Sequence, residues 1–405
     1  MQKFSVCIVK NDNLSNLEKL LKSLNENSEY ISEIIYSGNS EDIEDKNIKF
    51  LNIDSKNEAD HRNACLKEAN EEFILWVNPN IELEDETLEE FNEILEEFED
   101  ADIVYPNEVL ITLDEEENIK NYSDWYEKND ELIQALSLEE YLPNWGVLTK
   151  KSKITEFGGF ENSYNDYTFY AFLYKNLKNL KLKHSDLSFI NHYLTETFVD
   201  TSYRSKLVRD ILEIYDIKEL FKSLNWENEN IAMATAYTLI GDALFKYFDY
   251  LNASNFYRKA LISFHNQETL KKLIETYYQM GLFDEAEKLL QTQDVEENYK
   301  KEIKEKIETT KKLLKELEKS IEEGKAADVL VAANDITSYY QGAPIYNILG
   351  IVFFIKGDFE NAYRFFYKAA TMNPLDNDII NNLADVAKKL GYEDEVIGLF
   401  ERITK

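Results

Sequence analysis

Cysteine and histidine, the usual nucleophile, base and metal ligands, are scarce along this 405-residue chain: two and four of them stand against 78 aspartates and glutamates. Cys7 and Cys65 both lie inside apolar stretches, so neither a disulfide framework nor a cysteine-rich zinc site is available, and a reducing cytosol suits them. His184 and His192 fall at no metal-binding spacing, and His61 beside Arg62 reads as a packed or exposed ring. There is no Ser/His/Asp set, Walker-type loop or GxGxxG, which removes support for hydrolases, kinases and dehydrogenases.

The acids outnumber 45 lysines and arginines and give a formal net charge of -33. Nucleic acid and anionic membrane surfaces are poor partners for such a chain, because binding phosphates requires a basic stripe to displace counterions. Apolar residues are nevertheless frequent enough for packed cores, so the charge belongs to the surface of a folded protein. The first residues, MQKFSVCIVKND, are of strand length and lack a signal-peptide pattern, and no stretch approaches ~18 apolar residues. The expectation is a cytoplasmic protein without a membrane segment.

Which elements must carry any site follows from the hydrophobic period. Over residues 1–195, short β-type runs at Phe4–Val9, Glu33–Tyr36, Ile48–Ile53, Phe73–Val77 and Asp102–Tyr105 alternate with helical patterns at 14–24, 63–69 and 87–98. That order predicts βαβ units and a mainly parallel, Rossmann-like sheet. Ser15 or Asn13 is placed to cap the first helix, and an apolar 145–148, the turn at Gly158-Gly159 and a helix over 166–174 follow. A helical linker over 196–230 leads into an all-α region, 231–405. There Tyr346, Gly350, Ala362, Phe366, Ala369 and Pro374 take the spacing of a 34-residue tetratricopeptide repeat (TPR). Gly241, Ala253, Tyr257 and Ala260 repeat the offsets, and Val295–Gly324 reads as one long solvated helix.

Four segments of the first half, SVCIVKNDNLSNLEKLLKSL, EIIYSGNSED, NEADHRNACLKEANEEFILWVNPNIEL and LPNWGVLTKKSKITEFGGFENSYNDYTFYAFL, resemble in order and spacing the family 2 glycosyltransferases of the GT-A fold. Such enzymes are inverting and take a nucleotide sugar. The resemblance implies that Lys10, Asn11 and Asp12 stand at the nucleotide mouth, with Ser37 where the family has a base-contacting Asp and Asp42 closing the second motif. It further implies that Arg62 and Asn63 are the family's Arg-Asn pair, that Trp145, Gly158 and Gly159 lie on the acceptor side, and that Asp166 is the catalytic base. Asn78-Pro79-Asn80 occupies the place of the metal-binding Asp-X-Asp motif. Neutral amides are weak ligands for a hard dication, so Mg or Mn is expected to be weakly held or absent, with Asn80 and His192 as its candidate ligands.

Each of these residues also has a plainer reading: Asp166 as a helix cap, Arg62 in a surface ion pair, Trp145 as a core anchor. Repeats joined to such a domain resemble bacterial enzymes that glycosylate peptides or surface proteins, including the S-glycosyltransferases of glycosylated bacteriocins. The expectation is therefore sugar transfer to a polypeptide held by the repeats. The alternative is a catalytically silent GT-A/TPR adaptor that binds a partner glycosyltransferase or polypeptide.

Overall fold

A computed structural model describes residues 1–11, 13–39, 47–122, 142–195 and 200–404. The chain divides into two compact units, Met1–Val199 with Asp210–Leu220, and Asp200–Arg209 with Phe221–Lys405. Residues expected as a linker include the helices Ser202–Ile214 and Ile217–Leu220, which are shared out between the units.

The first unit is built on one mixed sheet of strands β1 (Phe4–Ile8), β2 (Ile31–Tyr36), β3 (Ile48–Phe50), β4 (Phe73–Val77), β5 (Ile81–Leu83), β6 (Ile103–Ile111), β7 (Glu117–Lys120), β8 (Val147–Lys150) and β9 (Leu182–Tyr193). Their order is 3-2-1-4-8-6-9-5, with β7 against β6. Strands β1 to β4 run parallel, β8 is antiparallel to both β4 and β6, and β9 runs parallel to β6. Every residue of β1 and β4 is buried, as a parallel strand covered on both faces requires. Each large apolar side chain so enclosed contributes about 1.5–3 kcal/mol. Helix α1 (Leu17–Glu26) buries Leu17, Leu20 and Leu24, and α3 (Thr87–Glu97) buries Leu88, Phe91 and Leu95. Between them in sequence, α2 (Glu58–Glu68) leads into β4 and starts five residues before the expected 63. Asn57 heads it, its side chain accepting from the Ala59 amide, whereas α1 begins at Asn16 without a side-chain cap, so neither Ser15 nor Asn13 serves there.

Helices alone make up the second unit, and no helix among the described residues is long and apolar enough to cross a membrane. Pairs Glu229–Lys246 with Tyr250–Ser263 and Ala343–Ile355 with Phe359–Met372 follow the expected repeats, Gln267–Met280 with Phe283–Thr292 and Asn377–Leu390 with Glu393–Thr404 pair in the same way, and Glu297–Glu322 is the expected long helix. The small residue on the first helix of a pair admits the aromatic of the second. A methyl on Gly350 would lie 2.5 Å from the Phe366 ring, and one on Gly241 2.6 Å from Tyr257. Gly350→Ala is accordingly expected to cost about 1–3 kcal/mol by overpacking, although alanine is the better helix former by about 0.5–1 kcal/mol. Urea midpoints followed by circular dichroism measure it, and an unchanged or raised midpoint refutes it.

The array also curls back on itself. Gly281, in the left-handed conformation that ends the helix Gln267–Met280, lies against Pro344, and Asn373 Nδ2 donates to the Met280 carbonyl at 2.9 Å. Further along, Asn252 Nδ2 donates to Ile403 O at 3.0 Å.

Candidate active site

The carboxyl ends of β1, β2 and β4 open on one edge of the sheet. A switch point lies there, because the chain leaves β1 for β2 on one side and later returns to β4 on the other. Open α/β sheets bind ligands in such a crevice. Lys10 and Asn11 follow β1, Ser37 follows β2, and Asn78-Pro79-Asn80 follows β4. Asp12 and Asp42 lie outside the described residues. Ser37 is fully buried: its Oγ accepts the Lys10 amide at 3.0 Å and lies 3.4 Å from Ile8 O, fastening the tails of β1 and β2. His61, buried rather than exposed, sets Nδ1 2.8 Å from Ser37 O and Nε2 2.8 Å from Ser55 O.

The turn after β4 gives the amide of Asn80 a use that a carboxylate lacks. Asn78 Oδ1 accepts the Asn80 amide at 2.8 Å. Asn80, 3% exposed, accepts from Asn16 Nδ2 at 3.2 Å and donates its own Nδ2 to Asn13 O at 3.4 Å. An aspartate has no N–H to give Asn13, so asparagine is the residue that ties the loop after β1 to the loop after β4. His192 was the other candidate ligand, and its Nδ1 is held by Glu108 Oε1 at 2.7 Å, with Tyr122 OH donating to Oε2 at 2.9 Å. Burial disfavours the Glu108 carboxylate, yet His192, Lys120 and Tyr122 together keep it below the usual glutamate range. Among the described residues no three His, Cys, Asp or Glu side chains are grouped to hold a metal. Asn80 and His192, both engaged in these hydrogen bonds, thus do not fit a resident divalent ion.

Arg62 is not the surface residue its charge suggests. It is completely buried, with its guanidinium carbon 4.1 Å from the Trp145 ring centroid and 5.3 Å from those of Trp76 and Phe169. Nε donates to Glu58 Oε1 at 2.6 Å and Nη2 to Asn144 Oδ1 at 3.0 Å, while Nη1 has no hydrogen-bond partner among the described residues. Burial pushes the Glu58 carboxyl up to about 7; Arg62 opposes this, and the nearby Asp166 carboxylate adds to it. Glu58 and Asn144 were missed in the sequence. Glu58 stands four residues before Arg62, the spacing of a helical ion pair, but the helix was started too late to include it.

Asn63 Oδ1 accepts the Phe160 amide at 2.9 Å and Nδ2 donates to Phe160 O at 2.8 Å, clamping the turn in which Gly158 and Gly159 both take positive φ. A methyl on Gly159 would lie 2.6 Å from Asn63 Oδ1. Beyond the turn, Asn162–Tyr167 forms a short 3-10 helix whose Asn165 is strained at φ 42 and ψ −120. Asn165 Oδ1 accepts the Glu58 amide at 3.4 Å, and Asn144 Nδ2 donates to Asp166 O at 3.3 Å. Asp166 itself is exposed, one residue before Tyr167, which heads the next helix, Thr168–Asn176. The fold thereby brings Asp166, Glu58, Asn144 and Arg62 into one cluster around an aromatic box, with a solvent-facing carboxylate beside a shielded one.

Over 213 residues the chain is 26% identical to a TPR repeat-containing protein of Methanocaldococcus jannaschii, a match over 51% of this chain and 36% of that protein, so the chain spans about a third of its relative's length. Similar solved structures include S. aureus TarS 1–349 in complex with UDP, at TM-score 0.44 and 15% identity over 69% of this chain and 92% of that one. The same protein in complex with UDP-GlcNAc gives TM-score 0.45 at equal identity and coverage. GalNAc-T7 with UDP, GalNAc and Mn2+ gives TM-score 0.40 and 12% identity over 58% of this chain and 51% of that one. The family model of the tetratricopeptide repeat matches residues 343–374, so the repeat expected from Tyr346, Gly350, Ala362, Phe366, Ala369 and Pro374 is present in the chain.

Proposed function

We propose that the first unit is an inverting glycosyltransferase that moves a sugar from a nucleoside-diphosphate donor to a polypeptide held by the repeats, in the cytoplasm. The observation that carries this reading is the exposed Asp166, set on a strained turn beside a shielded Glu58 and a buried Arg62, in a unit whose parallel strands reverse their order at β1. In the reaction Asp166 takes the proton from the acceptor heteroatom, which attacks the anomeric carbon from the face opposite the leaving group. The bond to the phosphate oxygen then breaks, and the nucleoside diphosphate departs with the electron pair. Lys10, at the end of β1, supplies positive charge for that departing group. Glu58, Arg62 and Asn144 act as positioning residues for the turn that carries Asp166.

A binding module is the second reading, favoured by Asn78 and Asn80, whose amides are spent on internal hydrogen bonds. Melting the protein with UDP-, GDP- and CMP-sugars decides whether a donor site exists. At 100 times its dissociation constant a donor adds about 2.7 kcal/mol and a clear rise in melting temperature. No shift with any of the three classes removes the transferase reading and leaves the adaptor.

A further inference from the structure

From Glu68 to Ile119 the chain carries 20 acidic residues and no lysine or arginine. Helix α3 lies in that run, and its exposed glutamates stand where they oppose the helix. Glu89, Glu93 and Glu97 follow one another at four-residue spacing, which sets like charges side by side. Glu93, Glu96 and Glu97 crowd a carboxyl end that has no basic residue in its last turn, against the helix dipole. Burial, then Glu93, Asp186, Glu86 and Glu89, push the Glu90 carboxyl above the usual glutamate range. Among the described residues one cation meets an α3 glutamate, the terminal amine of Met1, 3.5 Å from Glu96. A surface that repels itself in the free chain gains from opposite charge brought to it.

This face also holds a recess of about 170 Å³, which Tyr30 lines together with Glu26, Glu29, Asp85, Glu86 and Glu89. The volume lies below the ~300–1,000 Å³ typical of small-molecule sites and suits a single side chain. Tyr30 is only 9% exposed, yet its hydroxyl stays open to the recess and has no hydrogen-bond partner among the described residues. Burial, then the charges of Glu89, Glu29, Glu93 and Glu96, hold its phenol above the ordinary value, so it stays neutral. The cations nearby are engaged: Lys22 pairs with Glu26 at 3.5 Å, and Lys3 Nζ donates to the Glu29 carbonyl. Glu29, Asp85, Glu86 and Glu89 are left without a cation among the described residues. No three His, Cys, Asp or Glu side chains among the described residues are grouped for a metal, so spread single carboxylates favour organic cations.

We propose that this face docks a basic segment of a partner polypeptide, one lysine or arginine of which seats its charged end in the recess beside Tyr30. The cationic N–H donates to the unused lone pairs of Tyr30 Oη, and Glu29 and Glu89 supply the counter-charge. Room for one side chain, with further acids continuing along α3 through Glu93 and Glu97, calls for several basic groups carried on one backbone. The proposal does not rest on the transferase reading, since it uses neither Asp166 nor the residues that follow β1, β2 and β4.

Fluorescence anisotropy of fluorescein-labelled octalysine with the full chain, at about 0.1 M salt so that charges beyond ~10 Å are screened, tests it. Saturable binding is expected. Glu89→Gln/Glu93→Gln should weaken it about three- to tenfold, and Tyr30→Phe, which keeps the ring, about threefold. Glu308→Gln/Glu318→Gln, at exposed positions of the helix Glu297–Glu322, removes as much charge elsewhere and should change binding by less than about twofold. Thermal melting checks that every variant is folded. Absence of binding to wild type overturns the proposal. Equal weakening by the two double variants does so too, because net charge then accounts for the binding, and so does binding that Tyr30→Phe leaves unchanged. Spermine that displaces the probe as well as unlabelled octalysine does reassigns the face to free polyamines and equally overturns the polypeptide.

Discussion

Arg62→Ala lowers stability by about 3–5 kcal/mol at pH 8, the cost of breaking a buried ion pair from one side, and by clearly less at pH 5.5. The asymmetry comes from the partner left behind. Glu58 is shielded, and its carboxyl is already pushed up to about 7 with the guanidinium in place. A carboxyl raised in the folded state contributes stability that is complete below its ordinary value near 4.5 and is lost as pH climbs through about 7. Without Arg62 the ionised form loses its one opposing charge. At pH 5.5 Glu58 is already protonated with Arg62 in place, so no ion pair is broken and much of the penalty is absent, whereas at pH 8 the charge must be borne or the proton bound at a cost. Lost stacking against Trp145, Trp76 and Phe169 remains at both pH values. Urea midpoints of Arg62→Ala at the two pH values, with the double variant Arg62→Ala/Glu58→Gln alongside, separate these contributions. The double variant should recover most of the pH 8 excess. Equal losses at both pH values, or no recovery, would show that Glu58 carries no charge that matters there.

Periodicity made the frame of both units legible, because β1 and β4 are apolar throughout and the repeats space a glycine against an aromatic. Gly350 facing Phe366 and Gly241 facing Tyr257 are visible in sequence as offsets and in the structure as contacts. Strands β5 and β7 were not foreseen, being short segments whose Glu82 and Glu117 break any apolar run. Strand β9 was hidden by a register irregularity against β6 and by polar residues such as Lys183, Asp186 and Asn191. The site was legible only in part. Asp166 was named from its turn, whereas Glu58 and Asn144 meet Arg62 and that turn through contacts, across 82 residues for Arg62 with Asn144, that no local pattern encodes. Asn80 illustrates the opposite case: the sequence exposes the missing carboxylate, and only the hydrogen bond it donates to Asn13 accounts for the amide.

The net charge of -33 makes a single aspartate look dispensable, yet under the glycosyl-transfer reading Asp166→Asn lowers the turnover of acceptor by about 10²–10⁴-fold, the usual share of a positioned general base. Asparagine keeps the shape and removes the basic oxygen. Asp166 is exposed, so stability should change by no more than about 0.5 kcal/mol. Its charge also raises Glu58, so the neutral amide relieves part of that shift and tilts any change toward stabilisation above neutral pH. Donor binding, read as the shift of melting temperature with the nucleotide sugar that wild type recognises, should be retained. Loss of turnover with retained donor binding and an intact fold marks a base; loss of donor binding marks a residue of the nucleotide site instead. Turnover within about threefold of wild type would pass the base to another group, and Glu58, shielded, near half-ionised at neutral pH and within electrostatic reach of Asp166, is a carboxyl poised to take it.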